Sequence, residues 1–118
     1  MKTVKLGIIG LGARGVVLLP SIIAIEGVEI AAVCDTYPER VERFLTLCPF
    51  STGDYHELLK QPLDAVIIST TWTTHVPIAL DAMRAGVHVG LEVGGAACEQ
   101  DCWDLIKTSE ATGKFCML

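Results

Sequence analysis

The stretch Val4-Lys5-Leu6-Gly7-Ile8-Ile9-Gly10-Leu11-Gly12-Ala13-Arg14-Gly15 decides how this 118-residue chain is read. Its first half is a short apolar run broken only by Lys5, the pattern of a strand covered on both faces. Its second half places glycine at positions 10, 12 and 15 and leads into a helix-period segment from Ala13 to Ile25. Gly10 permits a tight turn, Gly12 lets a ligand approach the backbone, and Gly15 lets helix and strand pack closely. The free amides at the helix start face outward beyond the strand end, where they attract an anion such as a diphosphate.

Working outward, apolar runs alternate with helix-period segments along the whole length. Further strands are predicted over Val28 to Cys34, Asp64 to Ser69, Val87 to Leu91 and Phe115 to Leu118, five in all. Helices are predicted over Pro38 to Cys48, Asp54 to Lys60, His75 to Ala85 and Cys98 to Thr112, with Gly27, Gly86 and Gly113 as stops. Pro20 removes one hydrogen bond from the first helix and favours a kink there. No repeat, charge block or linker divides the chain. The class is therefore α/β, a doubly wound parallel sheet in a single domain, residues 1–118. Ligands of such sheets lie beyond the carboxyl ends of the strands, which singles out Gly10 to Gly15, Asp35, Ser69 to His75 and Glu92 to Gly95.

Asp35 ends the second strand twenty residues after Gly15, where a carboxylate can accept hydrogen bonds from both hydroxyls of an adenosine ribose. The same charge repels a 2′-phosphate, so the pair of signals points to NAD over NADP. The plainer reading is a glycine turn followed by a solvated Asp cap. Arg14 either reaches a cofactor phosphate or lies in solvent. Trp72 and His75 either line the ribose and nicotinamide end or are a partly exposed Trp and a His at a helix N-terminus. His56 and His88 read as structural.

Composition narrows the partners. Hydrophobic residues make up 51% and charged residues 19%, with a mean hydropathy of +0.48, yet no run reaches the roughly 18 residues a membrane span needs. Nine Lys and Arg against fourteen Asp and Glu, net −5, argue against nucleic acid. Five cysteines, with no signal-peptide pattern over Met1 to Leu6, suit a reducing cytoplasm. Cys98 and Cys102 are four apart on a helix, but no second pair at zinc spacing accompanies them, and small buried side chains are the simpler reading. The apolar surplus is large for so short a chain and implies a face covered by a neighbour, with a homo-oligomer expected.

These motifs together resemble the N-terminal Rossmann domain of the Gfo/Idh/MocA oxidoreductases. The counterparts are Gly10 to Gly15, Val33-Cys34-Asp35, Thr70 to His75, and Gly86-Val87-His88-Val89-Gly90-Leu91-Glu92-Val93-Gly94, with Pro20 matching the family's proline in the first helix. The resemblance spans essentially the whole chain. It implies a Rossmann NAD(P)-binding fold, NAD as cofactor, and a larger two-domain enzyme whose second domain supplies the catalytic base and the sugar contacts. Carried over residue by residue, it implies NAD contacts at Gly10, Gly12, Ala13, Arg14, Gly15, Asp35, Thr71, Trp72, Thr73, Thr74, His75, Glu92 and Val93, with no catalytic residue in this chain.

One departure sets the branch. The family's Glu-Lys-Pro carries a lysine beside the nicotinamide, and Val93 stands in its place. The runs Glu92-Val93-Gly94-Gly95-Ala96-Ala97, Cys102-Trp103-Asp104-Leu105 and Thr112-Gly113-Lys114-Phe115-Cys116-Met117 are similar to NAD-dependent α-N-acetylgalactosaminidase-like glycosidases, with Gly94 replacing that branch's proline. The resemblance implies glycoside cleavage through transient oxidation at sugar C3. A sugar or cyclitol dehydrogenase and a non-enzymatic NAD-binding module are the alternatives.

Overall fold

The computed structural model describes residues 2–118. Six strands and five helices alternate as β1 (Val4–Ile9), α1 (Ala13–Ile23), β2 (Val28–Cys34), α2 (Pro38–Glu42), β3 (Phe50–Thr52), α3 (Tyr55–Leu59), β4 (Ala65–Ile68), α4 (Trp72–Arg84), β5 (His88–Leu91), α5 (Glu99–Thr112) and β6 (Cys116–Met117). All strand pairs are parallel, in the order β3-β2-β1-β4-β5-β6. The order reverses between β1 and β4, the two strands that flank the crevice in a doubly wound sheet.

The two-residue period of the strands, shifted by one residue in β2 where the register passes from Leu6–Ile30 to Gly7–Ala32, divides the core into two layers. Ile8, Ile30 and Val33 face Leu19 and Ile22 of α1 and Val41, Phe44 and Cys48 of the segment after β2. Ile9, Ala32, Val66, Ile68, Val89 and Leu91 turn to the opposite face, against Leu58, the α4 residues Val76 to Met83, and Leu105. Burial on both faces explains why these strands read as unbroken apolar runs.

Four expectations are corrected. The helix anticipated to Cys48 ends at Glu42, after which Phe44, Leu45 and Leu47 donate to the third residue back, a series of tight turns. Pro49 disfavours helical geometry at Cys48 and ends the segment. The chain then forms β3, an edge strand of three residues too short to leave an apolar signature. Helix α4 starts at Trp72, three residues earlier than anticipated, because Thr71 takes the extended cap conformation and the Thr-rich run coils into the first turn. Lastly, α1 continues past Pro20 to Ile23, with the proline on its exposed side and its carbonyl accepting the Ala24 amide at 3.1 Å.

Cys98 and Cys102 are both exposed, contrary to the buried reading, and Cys98 is the cap residue of α5. Among the described residues no group of three or more His, Cys, Asp or Glu stands together to hold a metal, and no helix is long and apolar enough to cross a membrane. His88 accepts the Phe115 amide at Nδ1, 3.2 Å away, and stacks on its ring.

Candidate cofactor site

The glycine turn is built at the reversal point. Gly10 adopts φ +101° as β1 ends, its amide bonded to the Cys34 carbonyl at 2.8 Å, while the Ser69 amide donates to the Ile9 carbonyl. A Cβ on Gly10 would strike the Ser69 backbone, and one on Gly15 would overlap the Gly10 carbonyl. A Cβ on Gly12 would meet nothing nearer than Arg40 Nη1 at 3.6 Å. The three glycines thus separate into two that the fold requires and one that keeps the backbone bare toward open space. Helix α1 begins here without an acidic residue in its first turn, so its leading amides are uncompensated.

Asp35 is 7% exposed and anchors this turn. Its Oδ2 accepts the Leu11 amide at 2.8 Å, and its Oδ1 accepts the Tyr37 amide at 2.9 Å. Arg40 Nη1 lies 3.4 Å from Oδ2. Beside Asp35, burial followed by the carboxylate charge pushes the Cys34 thiol up to about 12. Cys34 is therefore a protonated packing residue.

A cleft of about 490 Å³ opens over the ends of β1, β2 and β4, walled by Gly10, Gly12 and Asp35 on one side and by Thr71, Thr73 and Thr74 on the other. That volume lies within the range of small-molecule and cofactor sites. Ser69 Oγ, in the same wall, is buried without a hydrogen-bond partner, a polar atom suited to a ligand group arriving from the cleft. Bare backbone at Gly12, uncompensated helix amides, a buried carboxylate and an orphaned hydroxyl together fit the adenosine and diphosphate of a dinucleotide.

The remaining sequence-nominated residues form a second group at the end of β5. Arg14 Nε donates to Glu92 Oε2 at 3.1 Å, joining the glycine turn to β5. The Val93 amide, and secondarily the Arg14 guanidinium, hold the Glu92 carboxyl below the usual carboxylate range. The indole of Trp72, 70% exposed, lies against Gly94, where a Cβ would fall 2.6 Å from the ring. Gly94 at φ +89° is thus the residue that both the turn and the indole demand, which accounts locally for glycine where proline was anticipated. Val93 is exposed and Ala13 sits open at the first helical position.

His75 is turned inward instead. At 1% exposure it donates from Nε2 to the Thr70 carbonyl at 2.9 Å, leaving Nδ1 buried and unpartnered. It shapes the Thr70 to Thr74 turn from behind and does not line the cleft. Ser69, within the run singled out after the third predicted strand, lines the cleft, and sequence reasoning missed Tyr37 and Arg40, which line it too. A signal existed for Arg40, five residues past Asp35 on the helix opened by Pro38, because a long cation on that turn can reach back to the strand end.

Residues 4–118 match the family model GFO_IDH_MocA, described as the oxidoreductase family with an NAD-binding Rossmann fold. The chain belongs to this family. A glycosyl hydrolase family 109 protein of Saccharopolyspora erythraea is 38% identical over 128 residues, 98% of this chain and 28% of that protein. An alpha-N-acetylgalactosaminidase of Shewanella oneidensis is 38% identical over 130 residues, 100% of this chain and 28% of that protein. The chain therefore spans under a third of the length of these curated relatives. Among solved structures, apo scyllo-inositol dehydrogenase from Lactobacillus casei superposes with a TM-score of 0.92 at 21% identity, covering 99% of this chain and 36% of that one. The last shows a shared fold. As a Gfo/Idh/MocA Rossmann domain, the chain takes NAD as its cofactor.

Proposed function

We propose that this chain is the N-terminal, NAD-holding part of a two-domain cytoplasmic enzyme that hydrolyses glycosides through transient oxidation at sugar C3. The observation that carries the reading is the 38% identity, over the full chain, to a relative named alpha-N-acetylgalactosaminidase, with Val93 following Glu92 where the wider family's lysine is expected.

Each residue group has a task in this reading. Gly10, Gly12 and Gly15, with the amides of Ala13 and Arg14, receive the diphosphate, and Asp35 receives the adenosine ribose. Thr71, Thr73 and Thr74 line the path toward the nicotinamide, with His75 behind them setting the Thr70 carbonyl. Trp72, Glu92 and Val93 border the nicotinamide end, where Arg14 and Glu92 orient each other. When bound, NAD would supply a reversible hydride acceptor: the ketone left at C3 acidifies the C2 hydrogen, the aglycone leaves C1 by elimination, water adds with its hydroxyl to C1 and a proton to C2, and the hydride would return to C3 with no net oxidation. Val93 has no proton to exchange, so proton transfer falls to groups of the second domain. Sugar is the substrate, and nucleic acid and membrane are not partners.

The enzyme encoded by the full gene is the test. Incubated with an aryl α-N-acetylgalactosaminide in D₂O, it is expected to release aglycone, take deuterium at C2 and accumulate no NADH. Stoichiometric NADH would instead establish the dehydrogenase alternative, and NAD binding without turnover on any glycoside would establish a non-enzymatic module. Association of copies is part of the proposal, motivated by the 51% hydrophobic content of so short a chain. Light scattering on the full-length enzyme showing only monomer at high concentration would reject it.

A further inference from the structure

Arg14 neither opens onto the cleft nor stands free in solvent, because its Nε donates to Glu92 Oε2 at 3.1 Å. The two residues are 78 apart in the chain and follow strands that do not touch. Arg14 stands on the first turn of α1 just after β1, Glu92 follows β5, and β4 runs between those two strands. The ion pair therefore crosses the carboxyl end of β4. Ser69 lies there, close under the glycine turn: a Cβ on Gly15 would be 3.8 Å from the Ser69 Cβ, and the Ser69 Oγ is the orphaned hydroxyl of the cleft wall. The cleft reaches Ser69, yet among the described residues its lining includes none of Arg14, Trp72, Glu92 and Val93. Open space thus ends at the bridge, and the nicotinamide end assigned above lies beyond it.

The two ends of the bridge are held unequally. Glu92 Oε1 accepts the amide of Val93 at 3.1 Å, so the carboxylate keeps its place with or without Arg14. The Arg14 side chain is 60% exposed against 24% for Glu92, and an ion pair so open to water is weak. The amides suited to a diphosphate belong to the same turn that carries Arg14, so phosphates bound there lie within reach of its guanidinium. The planar fork suits phosphate oxygens better than a single carboxylate oxygen met through Nε alone.

We propose that the Arg14–Glu92 bridge is a strap across the end of β4 that NAD opens by exchange: the diphosphate takes the guanidinium, and Glu92 Oε2 is left as a bare acceptor at the nicotinamide end. Arg14 is then a positioning residue that couples the two halves of the groove. Phosphate captured beside β1 exposes an acceptor beside β5 for a hydroxyl or amide donor. The inference rests on the cofactor reading above and deepens it.

The test is a double-variant cycle on the dissociation constant of NAD, measured by calorimetry for the chain and for Glu92→Gln, Arg14→Ala and both together. Glu92→Gln frees the guanidinium in advance and is expected to tighten NAD about three- to fivefold, the strength of an exposed ion pair. Arg14→Ala should weaken NAD about tenfold, as loss of a charge-assisted contact predicts. In the Arg14→Ala background Glu92→Gln should change nothing, since no guanidinium remains to be released. An equal gain with and without Arg14 would mean that Glu92 only repels the phosphates, and overturns the strap. Unchanged or weaker binding by Glu92→Gln, or parent-like binding by Arg14→Ala, overturns it as well. The exchange is also read at the carboxyl itself: in carbon-detected NMR the Glu92 titration midpoint should rise when ADP, which carries the diphosphate alone, saturates the chain, and should rise less in Arg14→Ala. An equal rise in the two chains is the field of the phosphates and overturns the exchange. A parent chain that binds neither NAD nor ADP would overturn the cofactor reading with it, whereas a parent that binds NAD and fails the cycle overturns this inference alone.

Discussion

Asp35 Oδ2 accepts the backbone amide of Leu11 at 2.8 Å, so the end of β2 holds the glycine turn of β1 from the side. In the proposed function the same carboxylate that shapes the glycine turn also receives the ribose.

Asp35→Ala should therefore lose on two measurements. Urea unfolding should show a loss of about 1–3 kcal/mol, because the buried Leu11 amide is left without an acceptor. Calorimetry should show NAD binding weakened by a similar 1–3 kcal/mol, about 5- to 150-fold. Asp35→Asn, whose amide oxygen can still accept one of the two amides, should keep more of the stability than of the affinity. Equal stability in Asp35→Ala and the parent chain would remove the anchoring role.

Two glycines distinguish crowding from backbone conformation. Gly86 has φ +88° and open space around its Cα, so Gly86→Ala pays only the left-handed conformation, about 1 kcal/mol. A methyl at Gly15 collides with the Gly10 carbonyl and forces α1 away from β1, a cost of about 3 kcal/mol. Thermal unfolding of the two variants should place Gly15→Ala well below Gly86→Ala, and only Gly15→Ala should lose NAD binding.

Thiol chemistry checks the layering of the fold. Cys98 and Cys102 are exposed and should react with an aromatic disulfide at pH 8 in the folded chain. Cys34 stays protonated because burial and the neighbouring Asp35 push its thiol up to about 12, and burial likewise raises Cys48. Both should react only after unfolding in denaturant. Fast labelling of Cys34 in the native chain, seen by mass spectrometry of the peptides, would contradict its placement.

The Arg14–Glu92 contact predicts a pH response. The folded Glu92 pKa is depressed, so the contribution of this contact to the folded state is present above the ordinary carboxylate value and is lost as pH falls through the depressed one. A carbon-detected NMR titration of the Glu92 side chain should give a midpoint below that of an exposed glutamate. Arg14→Ala should raise the midpoint only part of the way back, because the Val93 amide is the larger cause. Full return to the ordinary value would assign the effect to Arg14 alone.

The sequence by itself determined the parallel α/β class, the place of the turn and the identity of Asp35. Those features depend on periodicity and on glycine spacing, which act over a few residues and leave a local record. Strand β3 left none, since three residues at a sheet edge are specified by pairing with Ala32 to Cys34 rather than by their own pattern. The start of α4 was equally hidden, because a threonine run reads as loop until packing of Val76, Ala79 and Met83 against the sheet draws the helix back to Trp72. The return of Arg40 to Asp35 spans five residues and is as local as the turn itself. Tertiary structure decided that His75 faces the core and that Trp72 lies on Gly94: the histidine is buried only because the sheet and its covering helices close around it, and Gly94 reaches the indole only once the crossover has set the ends of β4 and β5 side by side.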